Sequence, residues 1–270
     1  MNARDHSAMP AARTASRDEL RRRLNSAPAG WVRDALDNPA MGPSELLLLL
    51  RNPAAPADVL ERIGADRGST GHHELRRGLT RHAHAPLTLS RNLLPHLYWK
   101  DWSDIAADPA ANPVVRRQAE SLLRGRLGEL GVGERVTLAR RVTRGLIGTF
   151  LGDTEPRVLG ALLGNPRLIE LDAVRLASAA SASADVLQRL AEHPVWGRRR
   201  EVRLELLRRP ELAVQTALRL ARQIDRRDLR ALVRDARVPL IVRVGIERRL
   251  GKNPDERSPQ DKPTGAGGWS

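Results

Sequence analysis

Residues 50–63 read LRNPAAPADVLERI, and their layout decides the fold. Asn52-Pro53 halts whatever helix precedes it, because Pro has no N–H for the helical hydrogen bonds and its ring clashes with the turn before it. Pro56 stands three residues further on, where its fixed φ suits the first turn of a new helix. Val59, Leu60 and Ile63 then fall on one face of that helix. The same punctuation recurs in LDNPAMGPSELL at 36–47, TRHAHAPLTL at 80–89, ADPAANPVVRR at 107–117, LGNPRLIELDAV at 163–174, LRRPELAVQTAL at 207–218 and RDARVPLIVRV at 234–244. Between the breaks, apolar residues recur three and four apart, as at Leu89, Leu93 and Leu97, and no run of β-branched residues alternates. One such unit cannot bury its apolar face alone, whereas stacked neighbours can. The expected class is all-α, a right-handed α-solenoid of short stacked helices.

Working outward, the chain matches itself. Shifted by 127, residues 31–123 lie on 158–250 without a gap. Asn38-Pro39 falls on Asn165-Pro166, and Ala57-Asp58-Val59-Leu60 on Ala184-Asp185-Val186-Leu187. Asp101, Asp108 and Arg116 fall on Asp228, Asp235 and Arg243. This register predicts an internal duplication, with copies at 31–123 and 158–250 and a connector at 124–157. Residues 1–29 and 251–270 carry little that could form a core and are expected to be flexible tails around a repeat domain at 30–250. A short helix around Asp18–Leu24 is the exception in the first tail. Trp269 in the second reads as incidental. The Asn-Pro pairs should lie at helix junctions, with Asn capping the next helix.

These residues carry a family resemblance. LRNPAAPADVLERI and ALLGNPRLIELDAVRLA resemble leucine-rich repeat variant units, and DPAANPVVRRQAESLL and DTEPRVLGALLGNP resemble HEAT-type repeats. The resemblance covers about residues 31–250 and implies a bacterial-type α-solenoid serving as a binding scaffold. It does not bring the iron–sulfur segment known from leucine-rich repeat variant proteins, since this chain has no cysteine.

Composition removes several classes of function. The absence of cysteine excludes disulfides, thiolate zinc sites and Cys nucleophiles. The longest apolar run, Leu46 to Leu50, is far short of the roughly 20 residues of a membrane helix. The N-terminal sequence lacks the apolar core of a secretory signal, so a cytoplasmic location without membrane contact is expected. Five of the seven histidines lie between positions 72 and 96, but without a metal-ligand spacing, so no metal or cofactor is expected. No Gly-x-Ser-x-Gly, phosphate-binding loop or dinucleotide fingerprint occurs.

Charge is unevenly spread. Net charge is +14, yet residues 31–123 hold 11 basic and 11 acidic residues, and residues 158–250 hold 19 and 11. If both copies share a fold, the surplus of the second is not required by it. Its candidate contacts for nucleic acid or an acidic partner are Arg199, Arg200, Arg203, Arg226, Arg227 and Arg230. A biased composition is the competing explanation, because Arg outnumbers Lys 43 to 3. Trp102, opposite Leu229, is expected in the core. Trp99, opposite Arg226, is the candidate partner anchor.

The function expected from these readings is a non-catalytic scaffold, a monomer that binds a protein partner. Nucleic-acid binding through the phosphate backbone and the basic second copy is the alternative. A HEAT-like alkylated-base DNA glycosylase is a remote third reading, resting on fold analogy.

Overall fold

Asn38-Pro39, Asn52-Pro53 and Asn165-Pro166 lie between helices, but these three Asn side chains point backwards along the chain. The computed structural model describes residues 11–251, which are all-α, with no strand among the described residues. The chain divides after Leu130 into two compact units. The first contains α1 (Arg17–Arg23), α2 (Ala29–Ala35), α3 (Pro43–Leu49), α4 (Ala57–Ala65), α5 (Arg67–Gly71), α6 (His73–Arg81), α7 (Leu87–Leu93), α8 (Trp99–Ala107) and α9 (Pro113–Arg126). The second contains α10 (Val132–Ala139), α11 (Arg144–Leu151), α12 (Pro156–Leu163), α13 (Glu170–Ser178), α14 (Ala184–Glu192), α15 (Arg200–Leu207), α16 (Val214–Ala221), α17 (Arg226–Arg234) and α18 (Leu240–Gly251).

The helices begin and end where the prolines dictate. Pro43, Pro113 and Pro156 occupy the first turns of α3, α9 and α12, where a missing N–H leaves no bond unmade. At α3, α8, α10 and α13 an acid in the first turn accepts a hydrogen bond from the N–H just outside the helix. Glu45, Asp101, Glu134 and Asp172 do this for Gly42, Tyr98, Gly131 and Ile169.

The Asn residues close the other ends. Asn38 donates to the carbonyls of Ala12 and Ala15, both at 2.9 Å, while its own oxygen accepts from the Ala40 N–H. Asn52 does the same to Leu24 and Ala27, and Asn165 to Ala139 and Val142. All three side chains are buried. Each ties down carbonyls that the end of an earlier helical turn leaves without partners. The Asn residues therefore bond back to an earlier turn and do not cap the next helix, whose N-cap is Gly42 for α3 and Pro56 for α4.

Within the second unit, α10, α12, α14, α16 and α18 pack one on the next, and α11, α13 and α15 form a neighbouring row. In the first unit α1 packs on α3 and α3 on α6, with α7 on α9. The apolar stripes meet between rows. Val59, Leu60 and Ile63 are buried in α4, and Val186, Leu187 and Leu190 in α14. Trp102 is buried as expected, and its Nε1–H donates to the Leu94 carbonyl at 2.7 Å.

Eight helices of the first unit start 127 residues before eight of the second. The pairs are α1 with α11, α2 with α12, α3 with α13, α4 with α14, α6 with α15, α7 with α16, α8 with α17 and α9 with α18. This correspondence reaches further than the predicted copies. The expected connector, residues 124–157, contains the end of α9, all of α10 and α11 and the start of α12. The packed region also begins before residue 30, since Leu20 and Leu24 are fully buried and Ala12 and Ala15 nearly so. Residues 1–10 and 252–270, which include most of the predicted tails and Trp269, lie outside the described residues.

Candidate functional site

The six predicted arginines come from α15, α17 and the residue before α15. Four of them bond within their own unit. Arg200 forks onto Asp228 with hydrogen bonds of 2.6 and 2.5 Å and also meets Glu201. That hydrogen bonding and charge hold the Asp228 carboxyl below the usual aspartate range and raise the guanidinium. Arg203 donates to the carbonyls of Gly197 and Gln223 at 2.8 and 3.0 Å, and burial lowers its pKa. Arg226 donates to the Leu250 carbonyl at 2.8 Å. Arg199 stands 3.8 Å from Glu170.

The first unit explains these bonds. His73 meets Asp101 at 3.0 Å where Arg200 meets Asp228. Arg76 donates to the Thr70 carbonyl where Arg203 donates to Gly197. Arg81 pairs with Asp108 where Arg208 pairs with Asp235, and His82 contacts the Asn52 carbonyl where Arg209 donates to Ala179. Arg203 and Arg208 thus repeat joints of the first unit, and Arg200 and Arg209 stand where it has histidines. Much of the basic surplus near position 200 is joinery, which the sequence disguised as a cluster.

Arg227 and Arg230 differ. Both are exposed on α17, and with Arg234 they form a stripe at spacings of three and four, which places them on one helix face. Arg230 and Arg234 make no hydrogen bond or ion pair through their side chains among the described residues. Their equivalents in α8 are Ser103 and Ala107, with Lys100 opposite Arg227. Arg234 belongs to the same arginine-rich stretch of the sequence and extends the stripe one turn beyond the six candidate contacts.

Trp99 is half-buried, with the Lys100 ammonium 5.5 Å from its ring centre. The ring more open to solvent is Tyr98, 64% exposed, whose ring lies 4.4 Å from that of His73. Asp101, beside this aromatic pair, is buried and bound by His73 and Arg77. His82 and His84 contact the carbonyls of Asn52 and Ala55. Among the described residues no three His, Asp or Glu side chains come together as a metal site.

A second surface was missed altogether. On α18, Leu240 and Ile241 are 68% and 61% exposed, and Val244 joins them one turn on. The equivalents on α9 are Pro113, Val114 and Arg117, so the second unit is the more apolar here. A residue-by-residue comparison at 127 would have revealed it.

No protein-family model, curated protein or solved structure matches this chain. No helix among the described residues is long and apolar enough to cross a membrane.

Proposed function

We propose that the protein is a non-catalytic interaction module of the HEAT-like or leucine-rich repeat variant type, built by internal duplication, which binds a protein partner through α18. The observation that carries this reading is the apolar face of Leu240, Ile241 and Val244 on the last described helix. Large apolar side chains grouped on one exposed face are a mark of protein contact surfaces. The fold does not call for all of them, because α9 carries Pro113, a less exposed Val114 and Arg117 in the equivalent places. The test compares proteins captured by the full chain with those captured by an Ile241→Glu, Leu240→Glu double variant that melts at the same temperature. A partner is expected that copurifies with the parent and, once purified, binds it directly but not the variant. Identical capture by both proteins would refute the assignment to α18.

A specific observation favours nucleic acid as the second reading: the exposed stripe of Arg227, Arg230 and Arg234, of which the last two have no side-chain partner among the described residues. It is tested by titrating the full chain with duplex and single-stranded DNA at two salt concentrations. Binding to duplex through this stripe should weaken with salt with a slope of about −0.9 per phosphate contact.

A further inference from the structure

The row α10, α12, α14 carries an open groove of about 620 Å³ on its solvent side, lined by Val136, Arg140, Arg157, Gly160, Gly164 and Arg189 among others. Arg189 donates to Asp185, one turn earlier in α14, at 2.8 Å. Arg140 and Arg157 are exposed, and their guanidinium groups make no hydrogen bond or ion pair among the described residues. No aromatic side chain lines the groove.

The positions 127 residues earlier form the same stretch of the first unit, where the charges cancel. There Arg13 lies 3.3 Å from Asp34 and 3.4 Å from Asp37, Arg62 lies 2.9 Å from Asp37, and Arg33 lies 2.7 Å from Asp58. Three arginines face three aspartates. In the second unit Arg13 and Arg62 persist as Arg140 and Arg189, and Asp58 persists as Asp185. Asp34 and Asp37 have become Ala161 and Gly164, Arg33 has become Gly160, and Gly30 has become Arg157. Three arginines now face one aspartate, leaving two positive charges unbalanced in one concavity.

The glycines also make the space. A Cβ on Gly160 would sit 3.4 Å from the Arg189 Cδ, so a longer side chain would crowd the arginine that crosses the groove. The exchange therefore removes both acids and shortens the side chains at 160, 161 and 164, while Arg157 adds a guanidinium where the first unit has Gly30.

We propose that this groove binds a phosphate monoester dianion. The two unbalanced charges match the charge of −1.5 to −2 that such a group carries near pH 7. The planar forks of Arg140 and Arg157 suit phosphate oxygens, which accept paired N–H donors. With no aromatic wall to stack a base, the groove reads the phosphate rather than what bears it.

The experiment is calorimetric titration of the full chain at fixed ionic strength with inorganic phosphate, a phosphoserine peptide, its unphosphorylated form, a sugar phosphate and a phosphodiester oligonucleotide. Two variants accompany the parent: Arg140→Ala with Arg157→Ala, and Ala161→Asp with Gly164→Asp, which restores the acids of the first unit. Phosphate and monoesters should bind the parent and weaken by about tenfold or more in both variants, with unliganded melting temperatures close to the parent's. A peptide that outbinds free phosphate and sugar phosphate would name a phosphorylated protein as the source. Equal binding of phosphate and sugar phosphate, with nothing added by the peptide, would name a small molecule. Absence of phosphate binding, affinity unchanged in folded variants, or binding of the diester alone would overturn the proposal.

Discussion

Arg200 holds Asp228 in a two-pronged grip across α15 and α17, where the first unit joins its equivalent helices through His73 and Asp101. The grip is solvent-exposed on the arginine side, so its contribution to stability is small and screened by salt. Arg200→Ala should lower the melting temperature slightly and leave DNA affinity where it was. Arg230→Ala with Arg234→Ala should do the reverse, weakening any DNA binding without moving the melting temperature. Melting curves and salt-dependent titrations on the same preparations check both halves, and equal DNA losses in the two variants would refute the division.

Asn165→Ala should be far more damaging. It removes two donors from the buried carbonyls of Ala139 and Val142 and leaves them without partners. A loss of about 2–4 kcal/mol is expected from unmade buried hydrogen bonds. Asn38→Ala should cost a similar amount, since its bonds to Ala12 and Ala15 have the same form. Urea unfolding gives both values. A change below about 0.5 kcal/mol would mean that water or a shifted backbone replaces the side chain.

Gly197 marks a close approach of backbones. A Cβ there would run into the Ala191 carbonyl at the end of α14, and the obstacle is main chain, which cannot rotate away. Gly197→Ala should destabilise the second unit more than Gly148→Ala, where nothing lies within 4 Å of the added atom. Comparing their melting temperatures tests this, and equal effects would contradict it.

Asp235 ties stability to acidity. Hydrogen bonds from Arg237 and Arg208 hold its carboxyl far below the ordinary aspartate value of 3.8. A carboxyl depressed in the folded state stabilises it fully above the unfolded value, and this is lost as pH falls toward the folded value. Asp235→Asn should therefore be less stable than the parent at pH 7, with the gap closing below about pH 4. Urea midpoints between pH 2 and 7 show whether it closes; a constant gap would assign the effect to packing instead of charge.

The helices were legible in the sequence because Pro acts locally: Pro43, Pro113 and Pro156 sit where their missing N–H allows. The buried stripes of α4 and α14 were legible because 3.6-residue periodicity is local too. The role of Asn38 was not, because its bonds reach back 23 and 26 residues to carbonyls that no pattern identifies. Arg200 and Arg203 resembled a binding cluster for the same reason, since Asp228 and the Gln223 carbonyl lie 28 and 20 residues away. The start of the array was obscured by Arg21, Arg22 and Arg23, which stand between the two buried leucines, Leu20 and Leu24, that anchor this turn in the core. The groove on α10, α12 and α14 was readable only by subtraction between units, because its distinguishing feature is the loss of Asp34 and Asp37 equivalents.

The backward-reaching joints also set how the chain can be made. One of them, from Trp196 Nε1 to the Leu163 carbonyl, spans 33 residues. At a synthesis rate of roughly 5–20 residues per second, that interval is translated in about two to seven seconds. Each turn can therefore lock onto the one before it soon after both leave the ribosome, without waiting for the distant C-terminus. The protein is suited to vectorial folding, in which the nascent chain adds finished turns in the order they are synthesised.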